Sequence, residues 1–394
     1  MPLPPPHALP GTRPFRAATR PALPAPDPTA QARSRELQQR IGARITQAGG
    51  WLAFDQYMQM ALYEPGLGYY DASGSKFGAQ GDFVTAPEIS PLFGQALAAE
   101  VAGAFAQLPG RVLEFGAGTG ALAHDLIREL QQRACGYSHY FILEVSADLR
   151  ARQQERLAGL PVTWLERLPE QFEGVVIANE VLDVLPVRLF IRGADAILER
   201  GVRCEGGDLL FAGRPASADL VGEVAAIEAL TGPLPDGYGS EWCPLAAAWI
   251  GTLGAFLRRG LVLLLDYGFP RHEYYHPQRA MGTVMCHYRQ HAHANPLWMP
   301  GLNDITAHVD FTACALAAEA AGLDVLGYTS QAHFLMNCGI LDLLVQGSGP
   351  AQAGAVQRLL SEAEMGELVK VLALGRGYAG ALPGFARGDR LHRL

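Results

Sequence analysis

The spacing of apolar positions changes along the chain, and each change predicts a different kind of element. From Ser34 onward Leu37, Ile41 and Ile45 recur four residues apart as far as Gly49-Gly50, the spacing of one buried helix face. A second short helix is predicted over Phe54-Asp55-Gln56-Tyr57-Met58, and Tyr63-Glu64-Pro65-Gly66-Leu67-Gly68-Tyr69-Tyr70 then reads as irregular loop. Thr85-Ala86-Pro87-Glu88 looks like the start of a helix running through Glu100. Beyond residue 110 short apolar runs at 111–115, 140–144, 162–165, 174–178, 261–265 and 324–329 alternate with helical patterns at 120–133, 146–157, 244–258 and 311–321. That alternation predicts an α/β fold with a parallel, doubly wound, Rossmann-like sheet. The span 187–212 interrupts it with strand-like segments Val187–Ile191, Ala196–Arg203 and Asp208–Phe211 joined by glycine turns, so a β-rich insertion is expected there.

The expected organisation is therefore a Pro-rich tail (1–33), an N-terminal helical and loop region contributing to the site (34–110), a core (111–340) with an insertion at about 187–243, and a partly helical C-terminal segment (341–394). Residues 1–30 hold ten of the 27 prolines, with Arg13, Arg16 and Arg20 and no acid before Asp27. Proline at that density favours disorder over a helix; a targeting peptide is the alternative, although the prolines spoil an amphipathic helix.

Composition narrows the class. The chain has 394 residues, 49% hydrophobic, with a formal charge of −8 and no run of Lys or Arg. Nucleic acid is not an expected partner. The most apolar segment, Leu261 to Leu265, has the length of a buried strand, and no run approaches the roughly 18–20 residues of a membrane span. None of the six cysteines forms a C-x-x-C pair, so no metal is expected. Reduced thiols predict a cytoplasmic location, or the mitochondrial matrix if the source is eukaryotic.

The candidate chemistry lies where predicted strands end. Arg111-Val112-Leu113-Glu114-Phe115 runs into Gly116, Gly118 and Gly120, with a helix beginning near Ala121. Glycines there let the backbone turn sharply and a ligand approach without meeting a Cβ. The spacing is G-x-G-x-G, one residue short of the G-x-G-x-x-G of dinucleotide folds. With Glu114 just ahead of it, the loop matches the first motif of class I methyltransferases, whose cofactor is S-adenosylmethionine. Glu144, at the tip of the second strand, is placed to accept hydrogen bonds from ribose hydroxyls. The apolar run Val175-Val176-Ile177-Ala178 leads into Asn179, Glu180 and Asp183, at the sheet edge where substrate meets cofactor. At i and i+3, Glu180 and Asp183 share a face if the turn is helical. A sulfonium and a guanidinium repel one another in a dry site unless carboxylates offset them, and a carboxylate grips a guanidinium bidentately. Glu180 and Asp183 are thus expected to hold an acceptor guanidinium, with Asn179 ordering the turn beside the cofactor.

The chain resembles the MidA-like methyltransferases, the family containing the mitochondrial complex I assembly-factor protein-arginine methyltransferase. The resemblance covers about residues 34–340. It rests on Phe54–Met58, Gly68-Tyr69-Tyr70, Gly81-Asp82-Phe83-Val84-Thr85-Ala86-Pro87-Glu88-Ile89-Ser90, the glycine loop, Ala178–Pro186, Asp266-Tyr267-Gly268 and Asp304–Phe311. It implies the class I fold, S-adenosylmethionine as cofactor and a protein substrate bearing an arginine, a complex I subunit in the eukaryotic member. It also makes Asp82, Thr85 and Glu88 candidate lid or substrate residues, with Asp304, His308 and Asp310 as further candidates. Two features depart from the family pattern: Ala117-Gly118-Thr119-Gly120 where Pro-Gly-Arg-Gly is common, and an arginine-poor Met281–Arg289. The rival readings are a cofactor-binding assembly scaffold without turnover and a nucleotide-dependent oxidoreductase.

Overall fold

A computed structural model describes residues 23–71, 84–347 and 349–394. Seven strands make the main run of the eight-stranded central sheet, β1 (Arg111–Phe115), β2 (His139–Leu143), β3 (Val162–Leu165), β4 (Phe172–Asn179), β5 (Leu257–Phe269), β6 (Asp324–Ser330) and β7 (Val369–Arg376), and the short strand Val309–Asp310 pairs with the end of β5 beside that run. The seven lie in the order β3-β2-β1-β4-β5-β7-β6. All neighbours through β5 are parallel, and β7 runs antiparallel between β5 and β6. This is the expected doubly wound sheet with one antiparallel strand added near its edge. The order reverses between β1 and β4, and in such sheets the ligand crevice opens at the strand ends flanking that reversal.

Strands covered on both faces read as continuous apolar runs because successive side chains leave opposite faces. Val112, Val175, Ile177, Leu261 and Leu263 pack beneath the helices Pro91–Ala104 and Ala121–Gln132. Their neighbours Leu113, Val176, Val262 and Leu264 pack beneath Pro244–Phe256 and Phe311–Ala320. Each such fully buried aliphatic side chain contributes about 1.5–3 kcal/mol.

Several expected boundaries are corrected. Asp27 caps a helix that begins at Pro28, its carboxylate accepting from Ala30 N–H at 2.9 Å, so the tail ends before residue 33; residues 1–22 lie outside the described part. The helix expected from Thr85 through Glu100 is two helices, Ala86–Ile89 and Pro91–Ala104. Ser90 is extended between them and caps the second through its hydroxyl, and Pro91 has no N–H to continue the first. The segment after 340 contains helices Ile340–Gly347 and Pro350–Leu360 but also β7, so the core sheet is completed beyond the expected boundary.

The insertion is a five-stranded antiparallel sheet built from Arg188–Arg192, Ile197–Glu205, Asp208–Pro215 and Tyr238–Trp242, joined by Leu52–Ala53 from the N-terminal region. It also carries a helix, Ala218–Thr231, absent from the sequence reading. Leu37, Ile41, Phe54, Tyr57 and Met58 pack with Val187, Leu189 and Val202 in one cluster. The N-terminal helices and the insertion thereby share a hydrophobic core beside the crevice. Among the described residues no helix is long and apolar enough to cross a membrane.

Candidate active site

A cavity of about 710 Å³ opens at the ends of β1, β2 and β4, a size typical of small-molecule sites. Gly116, Gly118, Glu114, Glu144, Asn179, Glu180 and Asp183 all line it, so the strand-end residues singled out in the sequence converge on one space.

On one side is the glycine loop. Gly116, Gly118 and Gly120 have φ of 61°, 53° and 80°, in the left-handed region that disfavours side chains. A Cβ on Gly118 meets no heavy atom of the described residues within 4 Å. Gly120 plays a different part: it does not line the cavity, and a Cβ there meets Leu157 Cδ1 at 3.4 Å and Gln153 Cα at 3.5 Å. Those are ordinary contact distances, so the glycine answers to its left-handed φ at the start of the helix Ala121–Gln132.

Two acids flank the loop. Glu114 is buried, accepts from Tyr140 Oη at 2.9 Å, and has its pKa pushed by burial to about 8. Glu144, just beyond β2, accepts from Ser146 N–H at 2.9 Å and Gln153 Nε2 at 3.0 Å; burial raises its carboxyl above the ordinary range. Gln153 was missed in the sequence. Fully buried in an otherwise polar helix, it also donates to the Gly118 carbonyl at 2.9 Å and accepts from Trp164 Nε1 at 3.0 Å. It thus ties the glycine loop to the β2 acid. Phe115 and Trp249, 5.0 Å apart edge to face, supply an apolar wall.

On the other side is the turn after β4. It is not the helical turn expected for an i, i+3 pair. Glu180 N–H donates to Leu265 O at 2.8 Å, and the chain then reverses with Glu180 at φ 53°. A non-glycine residue in this region is strained, and such strain collects at functional sites. Glu180 Oε1 accepts from Ala86 N–H and Asn179 Nδ2, each at 3.3 Å. Glu180 Oε2 and Asp183 Oδ1 are buried with no hydrogen-bond partner among the described residues. Burial, then the neighbouring Asp266 charge, pushes the Glu180 pKa to about 8, and the same causes hold Asp183 well above the carboxylate range. Both also feel Asp304.

The other candidates separate. Asp304 lies behind the wall, accepting from Tyr70 Oη at 2.9 Å, while Tyr70 stacks on Tyr63 at 5.5 Å and both rings line the cavity. Thr85 lines it directly. Glu88 lines it as well, its carboxylate accepting from Thr119 Oγ1 of the glycine loop and pairing with Arg156 at 3.0 Å. His308 does not line the cavity; its ring packs against Tyr267 and Phe269, and burial lowers its pKa to about 4. Asp310 caps the helix Phe311–Ala320 and pairs with Arg271 at 2.8 Å, a structural role. Asp82 lies outside the described residues. The sequence reading gave no role to Tyr63, Tyr70 or Asp266. For Asp266 a signal was present, since it ends the apolar run Leu261–Leu265 as Glu144 ends β2.

Residues 96–329, more than half of the chain, match the family described as S-adenosyl-L-methionine-dependent methyltransferases. A Burkholderia thailandensis protein whose crystal structure holds S-adenosyl-homocysteine is 49% identical, with a TM-score of 0.90 over 95% of this chain and 100% of that one. A second crystal structure from that organism is 50% identical, with a TM-score of 0.86 over the same shares. Among curated proteins, the mitochondrial protein arginine methyltransferase NDUFAF7 of Mus musculus is 29% identical over 373 residues, 82% of this chain and 81% of its own. The Drosophila melanogaster homologue is 26% identical over 389 residues. These likenesses set aside the oxidoreductase reading, and the open space over Gly118 between two acids suits the cofactor they indicate. The chain belongs to the S-adenosylmethionine-dependent methyltransferase family and is a methyltransferase of the class I fold.

Proposed function

We propose that the enzyme methylates a guanidinium nitrogen of a protein arginine, bound at the acidic end of the cavity. The observation that carries this is the pair of buried, unpartnered oxygens, Glu180 Oε2 and Asp183 Oδ1, whose strongest charged neighbours are other carboxylates. A neutral acceptor leaves that repulsion in place. A guanidinium relieves it, offering five N–H donors in a fork that matches two carboxylates. The mouse relative's name, a protein arginine methyltransferase, agrees. Resemblance to the complex I assembly-factor family makes a complex I subunit the first substrate to test.

When bound, S-adenosylmethionine supplies an electrophilic methyl on a cationic sulfonium. In this proposal Gly116 and Gly118 let it approach the backbone, Glu144 receives its ribose hydroxyls, and Glu114 faces its methionine end. Glu180 and Asp183 fix the acceptor and draw its positive charge away from the reacting nitrogen, and one of them takes the proton released.

The test uses S-adenosylmethionine with a deuterated methyl, arginine peptides from complex I subunits, and the same peptides with lysine in place of arginine, read by mass spectrometry. Label on arginine is expected. Label confined to lysine, or found only on non-peptide acceptors, overturns the arginine reading.

A separate prediction concerns the cofactor side. Gln153→Ala removes the link between Gly118 O and Glu144 and should weaken S-adenosyl-homocysteine binding about tenfold, for roughly 1.5 kcal/mol of lost buried hydrogen bonds. Calorimetry checks it; parental affinity in the folded variant means the loop is held without Gln153.

A further inference from the structure

We propose that Asp266 is a positioning residue for methyl transfer, its carboxylate holding the backbone from Val181 to Asp183 so that Glu180 and Asp183 face the acceptor. The proposal rests on the reading of Glu180 and Asp183 given above. Asp266 does not line the cavity and is 1% exposed, so it acts through the turn.

The geometry is specific. β5 carries Asp266 past its pairing partner: Leu265 is opposite Asn179, and Leu265 O receives Glu180 N–H at 2.8 Å. One residue further, Asp266 Oδ2 accepts from three successive amides, Val181 N–H at 3.1 Å, Leu182 N–H at 2.8 Å and Asp183 N–H at 3.3 Å. Its Oδ1 accepts from Tyr267 N–H at 2.8 Å. Three consecutive donors aimed at one oxygen form an anion-holding nest, and here the anion is a side chain of the same protein. The turn is neither helix nor strand, so these amides have no regular backbone partner. The second anchor is Asp183 O, which accepts from Ala307 N–H at 2.8 Å. Between the two anchors the turn has little freedom, and Glu180 is kept at its left-handed φ of 53°.

A carboxylate is an expensive choice for this task. Like-charged Glu180 and Asp183 feel its charge, as do the Tyr267 hydroxyl and the Cys314 thiol, and Asp304 adds its own charge to Glu180 and Asp183. Burial lifts its own pKa to about 7 in spite of the four backbone donors. An asparagine would still accept from the turn but would turn its amide nitrogen toward Tyr267 N–H and would not carry the charge. The anion therefore serves two ends: it orders the three amides, and it keeps the acceptor carboxylates eager for a cation.

Asp266→Asn and Asp266→Ala are compared with the parent by S-adenosyl-homocysteine calorimetry, single-turnover methyl transfer across pH, and crystal structures with S-adenosyl-homocysteine bound. Cofactor affinity should be unchanged in both. Single-turnover transfer by Asp266→Asn should fall about 10²-fold, the scale of misplacing a reacting group by about 1 Å, with Asp266→Ala lower still. The acid limb of its pH–rate profile should move to lower pH, because Glu180 and Asp183 lose a like-charged neighbour; a purely structural role does not move that limb. The crystal structure of Asp266→Ala, which removes the acceptor of all three amides, should show Glu180 displaced. Parental transfer with an unshifted limb, or Glu180 unmoved in that crystal structure, overturns the proposal. The crystallographic result does not depend on the acceptor, so it stands or falls even if the parent methylates no arginine.

Discussion

Gly118→Val is expected to abolish S-adenosylmethionine and S-adenosyl-homocysteine binding while leaving a folded protein. Two effects act together. With φ of 53° the position suits glycine, and a β-branched residue there costs on the order of 1–2 kcal/mol or flips the loop. If the loop holds, the isopropyl group projects into space where a Cβ meets no described protein atom within 4 Å, the space assigned to the cofactor. Loss of a loop contact and direct overlap together should exceed 100-fold in affinity, about 2.7 kcal/mol. Gly118→Ala separates the two effects, because its methyl adds strain with little bulk and should weaken binding less. Gly120→Ala is the contrasting substitution: its Cβ meets Leu157 and Gln153 at ordinary contact distance, but the φ of 80° strains any side chain there, so its primary readout is a lowered melting temperature. Calorimetry and thermal melting distinguish the variants. A folded Gly118→Val protein with parental affinity would mean that the cofactor does not lie over this loop.

That prediction was accessible from sequence, and the reason is physical. A strand buried on both faces must be a short apolar run, and a parallel sheet must present its ligand at strand ends. Arg111–Phe115 followed by three alternate glycines, and Val175–Ala178 followed by Asn179, Glu180 and Asp183, therefore located both halves of the cavity. What stayed hidden depended on partners distant in the chain. Asp266 takes its meaning from amides more than 80 positions earlier, with |i−j| of 83 to 85. Gln153 sits in a helix whose only buried residues are Leu149 and itself, so no periodicity marked it. Tyr63 closes the helix Phe54–Tyr63 and Tyr70 follows the glycine-rich turn after it, a stretch that in sequence reads only as loop. β7 escaped because Val369-Lys370-Val371-Leu372-Ala373-Leu374 follows two helices, and a short apolar run there suits helix or strand equally. His308 carried the residue type of a site, yet packing turned it into a ring cluster away from the cavity.

The carboxylates proposed to hold the acceptor provide the other large effect. Glu180→Gln and Asp183→Asn are expected to lower single-turnover transfer to arginine by about 10²–10³, for roughly 2–4 kcal/mol of lost stabilisation of the charge that shifts during transfer. Cofactor affinity should be little changed. The substitutions should not unfold the protein, and the sign follows from linkage. Glu180 titrates near 4.5 in an exposed chain and at about 8 in the fold, so its ionisation opposes folding above the lower value, most fully above the higher. Glu180→Gln removes that penalty, and its melting temperature should equal or exceed the parent's at pH 8, the difference vanishing below pH 4.5. The same shift predicts that parental KM for an arginine peptide rises as pH falls below about 8, because a protonated carboxyl grips a guanidinium poorly. Loss of transfer with a raised or unchanged melting temperature is the signature of groups kept for chemistry at the expense of stability. Loss of transfer together with a lowered melting temperature would make Glu180 and Asp183 supports of the fold, and transfer at the parental rate would move the acceptor site to Asp304 and the Tyr63–Tyr70 wall.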